Sequence, residues 1–183
     1  SYKMITESKI KLWSKLGSRA TFGQSMLSLP EINEDAIAMS ADLGNSSGLA
    51  PFIRKYPEKF INVGIAEQNM IGIASGLSSE NFKVVTTTFA PFQTMRCCEQ
   101  IKVNLGYMEE RVTMIGLASG LILGNLGFTH CCIEDIGVLR SIPNLNIISP
   151  ADSLETIKSI EASLHSKKST YIRVTGGPNN PII

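Results

Sequence analysis

Residues 60–88 read FINVGIAEQNMIGIASGLSSENFKVVTTT. Two β-rich runs, 60–63 and 83–88, flank a stretch at 66–79 that Glu67 opens and that stays uncharged as far as Ser79. Strand, helix, strand predicts a parallel pair of strands, because a parallel connection needs a long crossover. The same alternation extends in both directions. Further β-rich runs lie at 36–40, 111–117, 145–149 and 171–174, with helical stretches at 18–29, 91–104, 133–142 and 153–165. This rhythm predicts an α/β fold: a doubly wound, mostly parallel six-stranded sheet with helices on both faces. The domain is expected over residues 1–175, with 176–183 (GGPNNPII) as a tail or the start of a linker.

Composition narrows the function. The chain has 183 residues, of which 43% are hydrophobic, and 17 Lys plus Arg against 16 Asp plus Glu leave a net charge of +1. A chain of this length can bury roughly 70% of the surface its unfolded form exposes. The basic residues are spread out, so neither nucleic acid nor an anionic membrane is an expected partner. The four cysteines form two adjacent pairs, Cys97-Cys98 and Cys131-Cys132, without metal-ligand spacing. They read as free thiols in a reducing compartment, with no metal bound. The first residues lack a signal-peptide profile and no apolar run reaches the roughly 20 residues of a membrane span, so a cytoplasmic protein is expected. Residues 114–128, which carry Gly116, Gly120 and Gly124, read as a strand followed by a glycine-rich loop.

In parallel sheets of this kind, functional groups gather in the loops leaving the carboxyl ends of the strands. Glu67 lies in one such loop. A first-turn Glu can simply complement the helix dipole, worth about 0.3–1 kcal/mol. The helix it opens is apolar and small-faced, with Gly72, Ser75 and Gly76, which suggests burial or a subunit interface and a desolvated carboxylate. Phe89 and Phe92 stand three residues apart at another strand end, as core residues or as the seat of a flat heteroaromatic ring. His130 follows the glycine-rich loop as an acid-base or hydrogen-bonding candidate.

These residues together resemble a known family. The runs 62–69 (NVGIAEQN), 87–89 (TTF), 127–130 (GFTH) and 139–144 (LRSIPN), with Glu134-Asp135, are similar in order and spacing to the pyrimidine-binding domain of transketolases. They also resemble 1-deoxyxylulose-5-phosphate synthases, over nearly the whole chain. The resemblance implies the thiamine diphosphate-binding fold and that cofactor's chemistry. Glu67 takes the place of the glutamate that hydrogen-bonds N1′ of the aminopyrimidine, and Phe89 with Phe92 that of the aromatic shelf. Asp42 and Leu43 fall at the cofactor-binding end of the first strand, and Asp42 also on the substrate channel. His130 matches a histidine that contacts donor oxygens, while Arg19, Ser46 and Arg173 fall on positions that line the substrate channel or hold its phosphate.

The sequence also departs from the family. Leu126 stands where an acid usually precedes the Gly-x-Thr-His glycine, Ala118 where a histidine usually ends the preceding strand, and Met95 where an aromatic usually follows the Phe pair. No Gly-Asp-Gly occurs, the motif with which the family's other domain holds magnesium and the diphosphate. The implied protein is therefore a transferase component, inactive alone, that moves a two-carbon ketol unit between sugar phosphates. Its expected partner is a Gly-Asp-Gly domain or subunit that carries the Mg2+, in a homodimer or heterotetramer. Carboligation from pyruvate and a non-catalytic assembly module are the alternatives.

Overall fold

The computed structural model describes residues 6–176. Its strands are β1 (Ala36–Ser40), β2 (Phe60–Asn62), β3 (Lys83–Phe89), β4 (Val112–Leu117), β5 (Leu145–Ile148) and β6 (Ser169–Val174). They form one six-stranded sheet in the order β2-β1-β3-β4-β6-β5, with every pairing parallel. Each predicted strand is present with its ends within two residues of expectation. The helices are α1 (Glu7–Leu16), α2 (Ser18–Ile32), α3 (Ala50–Lys55), α4 (Glu67–Ser79), α5 (Ala90–Gln93), α6 (Cys98–Gln100), α7 (Asp135–Leu139) and α8 (Ser153–Ser163).

Strand alternation divides the core into two layers, since successive side chains point to opposite faces. On one face Val85, Ile115, Leu117 and Ile172 pack against Phe22 and Met26 of α2, Phe52 of α3 and Ile160 of α8. On the other, Met39, Val84, Met114 and Tyr171 meet Met70, Ile71 and Ala74 of α4, together with Ile101, Leu105 and Leu139. Gly116 makes room for one of these: a Cβ there would collide with the ring of Tyr171 on the neighbouring strand.

Four elements differ from the sequence reading. The helix expected at 91–104 is broken into α5, a 3-10 turn at Met95–Cys97, α6 and a π-helical stretch at Ile101–Tyr107. Thr94 marks the break: its backbone leaves the helical region (φ −112°, ψ −80°) and its hydroxyl donates to the Ala90 carbonyl at 2.7 Å. The helix expected at 133–142 contracts to α7. Helices α1 and α3 lie outside the expected set; α1 is short and charged, and the Thr6 side chain caps it by accepting from the Lys9 amide. Helix α4 buries Glu67, Met70, Ile71, Ala74, Ser75 and Ser78, while Gly72 and Gly76 face outward with nothing within 4 Å of a Cβ. The expected tail lies outside the described residues except for Gly176. Among the described residues, no helix is long and apolar enough to cross a membrane.

Candidate functional site

The strand order reverses between β1 and β3, since the chain leaves β1 toward β2 and returns to β3 on the other side. A crevice at such a switch point, outside the carboxyl ends of the strands, is where open α/β sheets bind ligands. A cavity of about 350 Å3 occurs there, lined by Ala41, Asp42, Leu43, Ile65, Glu67, Phe89, Phe92, Arg96 and His130. Six of the residues singled out from the sequence, Glu67, His130, Phe89, Phe92, Asp42 and Leu43, thus share one lining.

The loops are held by short polar contacts. Oδ1 of Asn62, the last residue of β2, accepts from the amides of both Asp42 and Gly64 at 3.0 Å, tying the loop after β1 to the loop that leads into α4. The Leu43 amide donates to Ser40 Oγ at 3.2 Å. Asp42 and Ala118, each just beyond a strand end, have φ of 58° and 51°. Left-handed backbone at non-glycine residues costs of order 1–3 kcal/mol and concentrates at functional sites.

Glu67, the first residue of α4, is 5% exposed. Its Oε1 accepts from Arg96 Nη1 at 2.8 Å, and the Arg96 guanidinium lies 3.9 Å from the centre of the Phe92 ring. Gln68 Nε2 donates to the Arg96 carbonyl at 3.0 Å, which fixes the backbone beneath that contact. Arg96 therefore links the carboxylate to the aromatic shelf, and sequence reasoning missed it. The available signal was its position four residues after Phe92, the spacing at which helical neighbours meet. Met95, where the family usually has an aromatic, is 39% exposed.

Phe89, Phe92 and His130 form a ring cluster. The Phe89 and Phe92 centroids are 6.1 Å apart, and His130 lies 6.0 Å from the first and 5.4 Å from the second, all in tilted, edge-on arrangements. Such geometry gives an apolar wall with one titratable edge. His130 Nδ1 is 3.0 Å from Thr129 Oγ1. Behind the site, burial and then the negative Glu67 push the Cys97 thiol up to about 12, so it stays protonated.

A second cavity, of about 400 Å3, adjoins the first across Phe89 and is lined in part by Arg19, Ser46 and Ala118. Arg19 Nη1 donates to the Ser46 carbonyl at 3.1 Å. Close backbone approach permits this contact, because a Cβ at Gly23 of α2 would collide with the Gly48 carbonyl. Arg173 is not brought to either cavity. Its Nε donates to Asp135 Oδ2 at 2.9 Å, and it borders a separate small cleft beside Ser18 and Thr175. Tyr171 donates to the same oxygen at 2.8 Å, and burial beside that carboxylate pushes the phenol well above its usual range.

The fold is that of a doubly wound α/β domain with a cavity at the switch point of its sheet. Residues 14–177 match the family described as "Transketolase, pyrimidine binding domain", and the chain belongs to that family. It is 35% identical over 159 residues to one of the subunits of the apulose-4-phosphate transketolase of Phocaeicola vulgatus, covering 87% of this chain and 51% of that protein. It is 33% identical to human transketolase over 174 residues, 94% of this chain and 27% of that one. A solved structure described as a split gene transketolase, inactive beta4 tetramer, superposes with a TM-score of 0.78 at 31% identity, covering 88% of this chain and 52% of that one. The chain spans about half the length of the subunit-type curated relatives it matches.

Proposed function

We propose that this chain is the pyrimidine-binding component of a thiamine diphosphate-dependent transketolase-type enzyme, completed by a partner domain or subunit that holds the diphosphate and Mg2+. The observation that carries the reading is the convergence of Glu67, Phe89, Phe92 and His130 on one cavity at the switch point, in a member of this family. When bound, the cofactor supplies an electron sink for cleaving a carbon–carbon bond beside a carbonyl.

The chain's own residues would serve that chemistry in distinct ways. Glu67, almost buried and oriented by Arg96, shares a proton with a ring nitrogen, N1′ of the aminopyrimidine. Phe89 and Phe92 seat the flat ring, and Asp42 and Leu43 close its edge. His130, at the edge of the same ring cluster, hydrogen-bonds substrate oxygens. Arg19 and Ser46 face the substrate in the second cavity. Arg173 acts on β6 instead, by neutralising the buried Asp135. The need for a partner is supported by apolar side chains left exposed beside the site: Ile65 is 78% exposed and Phe128 85%. Leu126, in the segment leading to His130, is exposed as well.

The test is reconstitution with a partner chain bearing Gly-Asp-Gly, followed by ketose cleavage in the presence and absence of thiamine diphosphate and Mg2+. Activity that requires the cofactor, and that Glu67→Gln abolishes while the two chains still assemble, is the expected result. Turnover by Glu67→Gln at the wild-type rate would remove the carboxylate from the mechanism. Release of carbon dioxide from pyruvate would replace ketol transfer with carboligation.

A further inference from the structure

The two cavities that meet at Phe89 differ in chemistry. The second is walled by Leu16, Leu117, Ala118, Ile122, Leu123 and Val174, and its one charged lining residue among the described residues is Arg19. Side-chain hydroxyls come only from Ser46 and Thr175 among its lining residues. Backbone groups nearby are already engaged: the Ser119 amide donates to the Val174 carbonyl at 3.1 Å, and the Thr175 carbonyl accepts from Ser18 Oγ. The wall turns at Ala118, whose left-handed φ of 51° is a conformation an alanine adopts only under constraint. The volume, about 400 Å3, lies in the range of small-molecule sites.

A ligand carbon bearing a hydroxyl against this wall gives up hydrogen bonds to water and finds few in return. A methylene in the same place gains from burial. A single guanidinium suits one anionic group, held by charge-assisted hydrogen bonds. Resting on the transketolase-type reading, we propose that the Arg19 chamber selects substrates with one anionic end group and a deoxygenated, apolar carbon stem over polyhydroxylated ones. Apolar pockets discriminate against added hydroxyls only modestly, so the preference expected is about tenfold.

The experiment is an NMR titration of the 15N-labelled chain with three probes: butyl phosphate, ribose 5-phosphate and inorganic phosphate. Butyl phosphate is expected to bind at least about tenfold tighter than ribose 5-phosphate, equivalent to about 1.4 kcal/mol. Its shifts should centre on Arg19, Ala118 and Leu123. Ile122→Asn should narrow the gap between the two esters, and Arg19→Met should weaken both. Equal or tighter binding of ribose 5-phosphate overturns the proposal. So does inorganic phosphate binding as well as butyl phosphate, which would show that the anion alone is recognised. Absence of butyl phosphate shifts in the chamber overturns it too, as when that wall only receives a partner's side chains. Thiamine titrated in parallel separates the two readings. Thiamine shifts at Glu67 and Phe92 without selective butyl phosphate binding sink the substrate preference alone. Selective butyl phosphate binding without thiamine shifts upholds the chamber's preference, and the transketolase-type reading then falls if the chain reconstituted with its Gly-Asp-Gly partner also shows no cofactor-dependent ketose cleavage.

Discussion

Arg96 Nη1 stands 2.8 Å from Glu67 Oε1, and the same guanidinium covers the Phe92 ring at 3.9 Å. The pair is asymmetric, since the carboxylate side chain is 6% exposed and the arginine 42%. Arg96→Ala leaves a nearly buried carboxylate without its charged partner. Solvent reaching the arginine side reduces the effect below that of a fully buried pair, so a loss of about 1–3 kcal/mol is expected. Glu67→Gln in the Arg96→Ala background should recover part of it, because a neutral amide tolerates the unpaired position. A double-mutant cycle by urea denaturation measures the coupling, and simple additivity of the two losses would show that the contact contributes nothing.

Asp135 gives the same logic at greater depth. Its side chain is 1% exposed, and its Oδ2 accepts from both Tyr171 and Arg173. Arg173→Met removes the countercharge from a buried carboxylate, for which about 3–5 kcal/mol is the expected loss. Tyr171→Phe removes one neutral donor and should cost less, about 1–2 kcal/mol. Equilibrium unfolding of the two variants checks the order. If Tyr171→Phe proves the worse of the two, the assignment of Arg173 as the neutralising partner fails.

The sheet was legible because its signal is local. Runs such as 83–88 and 111–117 are rich in β-branched residues and bounded by turn residues, and each recurs as a strand within one residue of its expected ends. The shared cavity lining was legible for a related reason: Asp42, Glu67 and His130 lie in segments that leave strand ends, Phe89 ends β3, and parallel topology brings strand ends to one edge. Contacts between separate loops left no such trace. Nothing in the spacing of Arg96 reveals that it meets Glu67, 29 residues away. Arg173 illustrates the converse, since a lone arginine near a strand end looks the same whether it faces a ligand or a buried Asp135. The break at Thr94 depends on one hydroxyl choosing a backbone carbonyl, which composition does not encode.

The Cys97 thiol carries a pH dependence whose sign follows from its environment. An ordinary thiol ionises near pH 9.0, while burial holds this one protonated to about 12. Between those values the unfolded chain releases a proton that the folded chain keeps, so stability falls as pH rises, by about 1.4 kcal/mol per pH unit for one such group. The buried Tyr171 phenol, also pushed up, extends the decline to higher pH. Urea midpoints measured from pH 8 to 11 should fall progressively, and Cys97→Ala should flatten the slope between 9 and 11. An unchanged slope in that variant would assign the alkaline loss to other groups.

Three glycines separate packing from propensity. Gly23 abuts the Gly48 carbonyl, so Gly23→Ala forces apart helix α2 and the loop that places Ser46 against Arg19. Overpacking of this kind costs about 1–3 kcal/mol, which in a chain of this length lowers Tm by roughly 2–12 °C. Gly72 and Gly76 sit on the outer face of α4 with open space around them. Alanine at either should stabilise the isolated chain by up to about 1 kcal/mol, the difference in helix propensity. The same small outer face is where a second helix would come closest to α4, so Gly72→Glu should leave the fold of the isolated chain intact while reducing assembly. Sedimentation of wild type and variant with the proposed partner chain decides this. An unchanged profile would place assembly on another face, and a drop in Tm for Gly72→Ala in the isolated chain would mean that the outer face of α4 is more crowded than its open surroundings indicate.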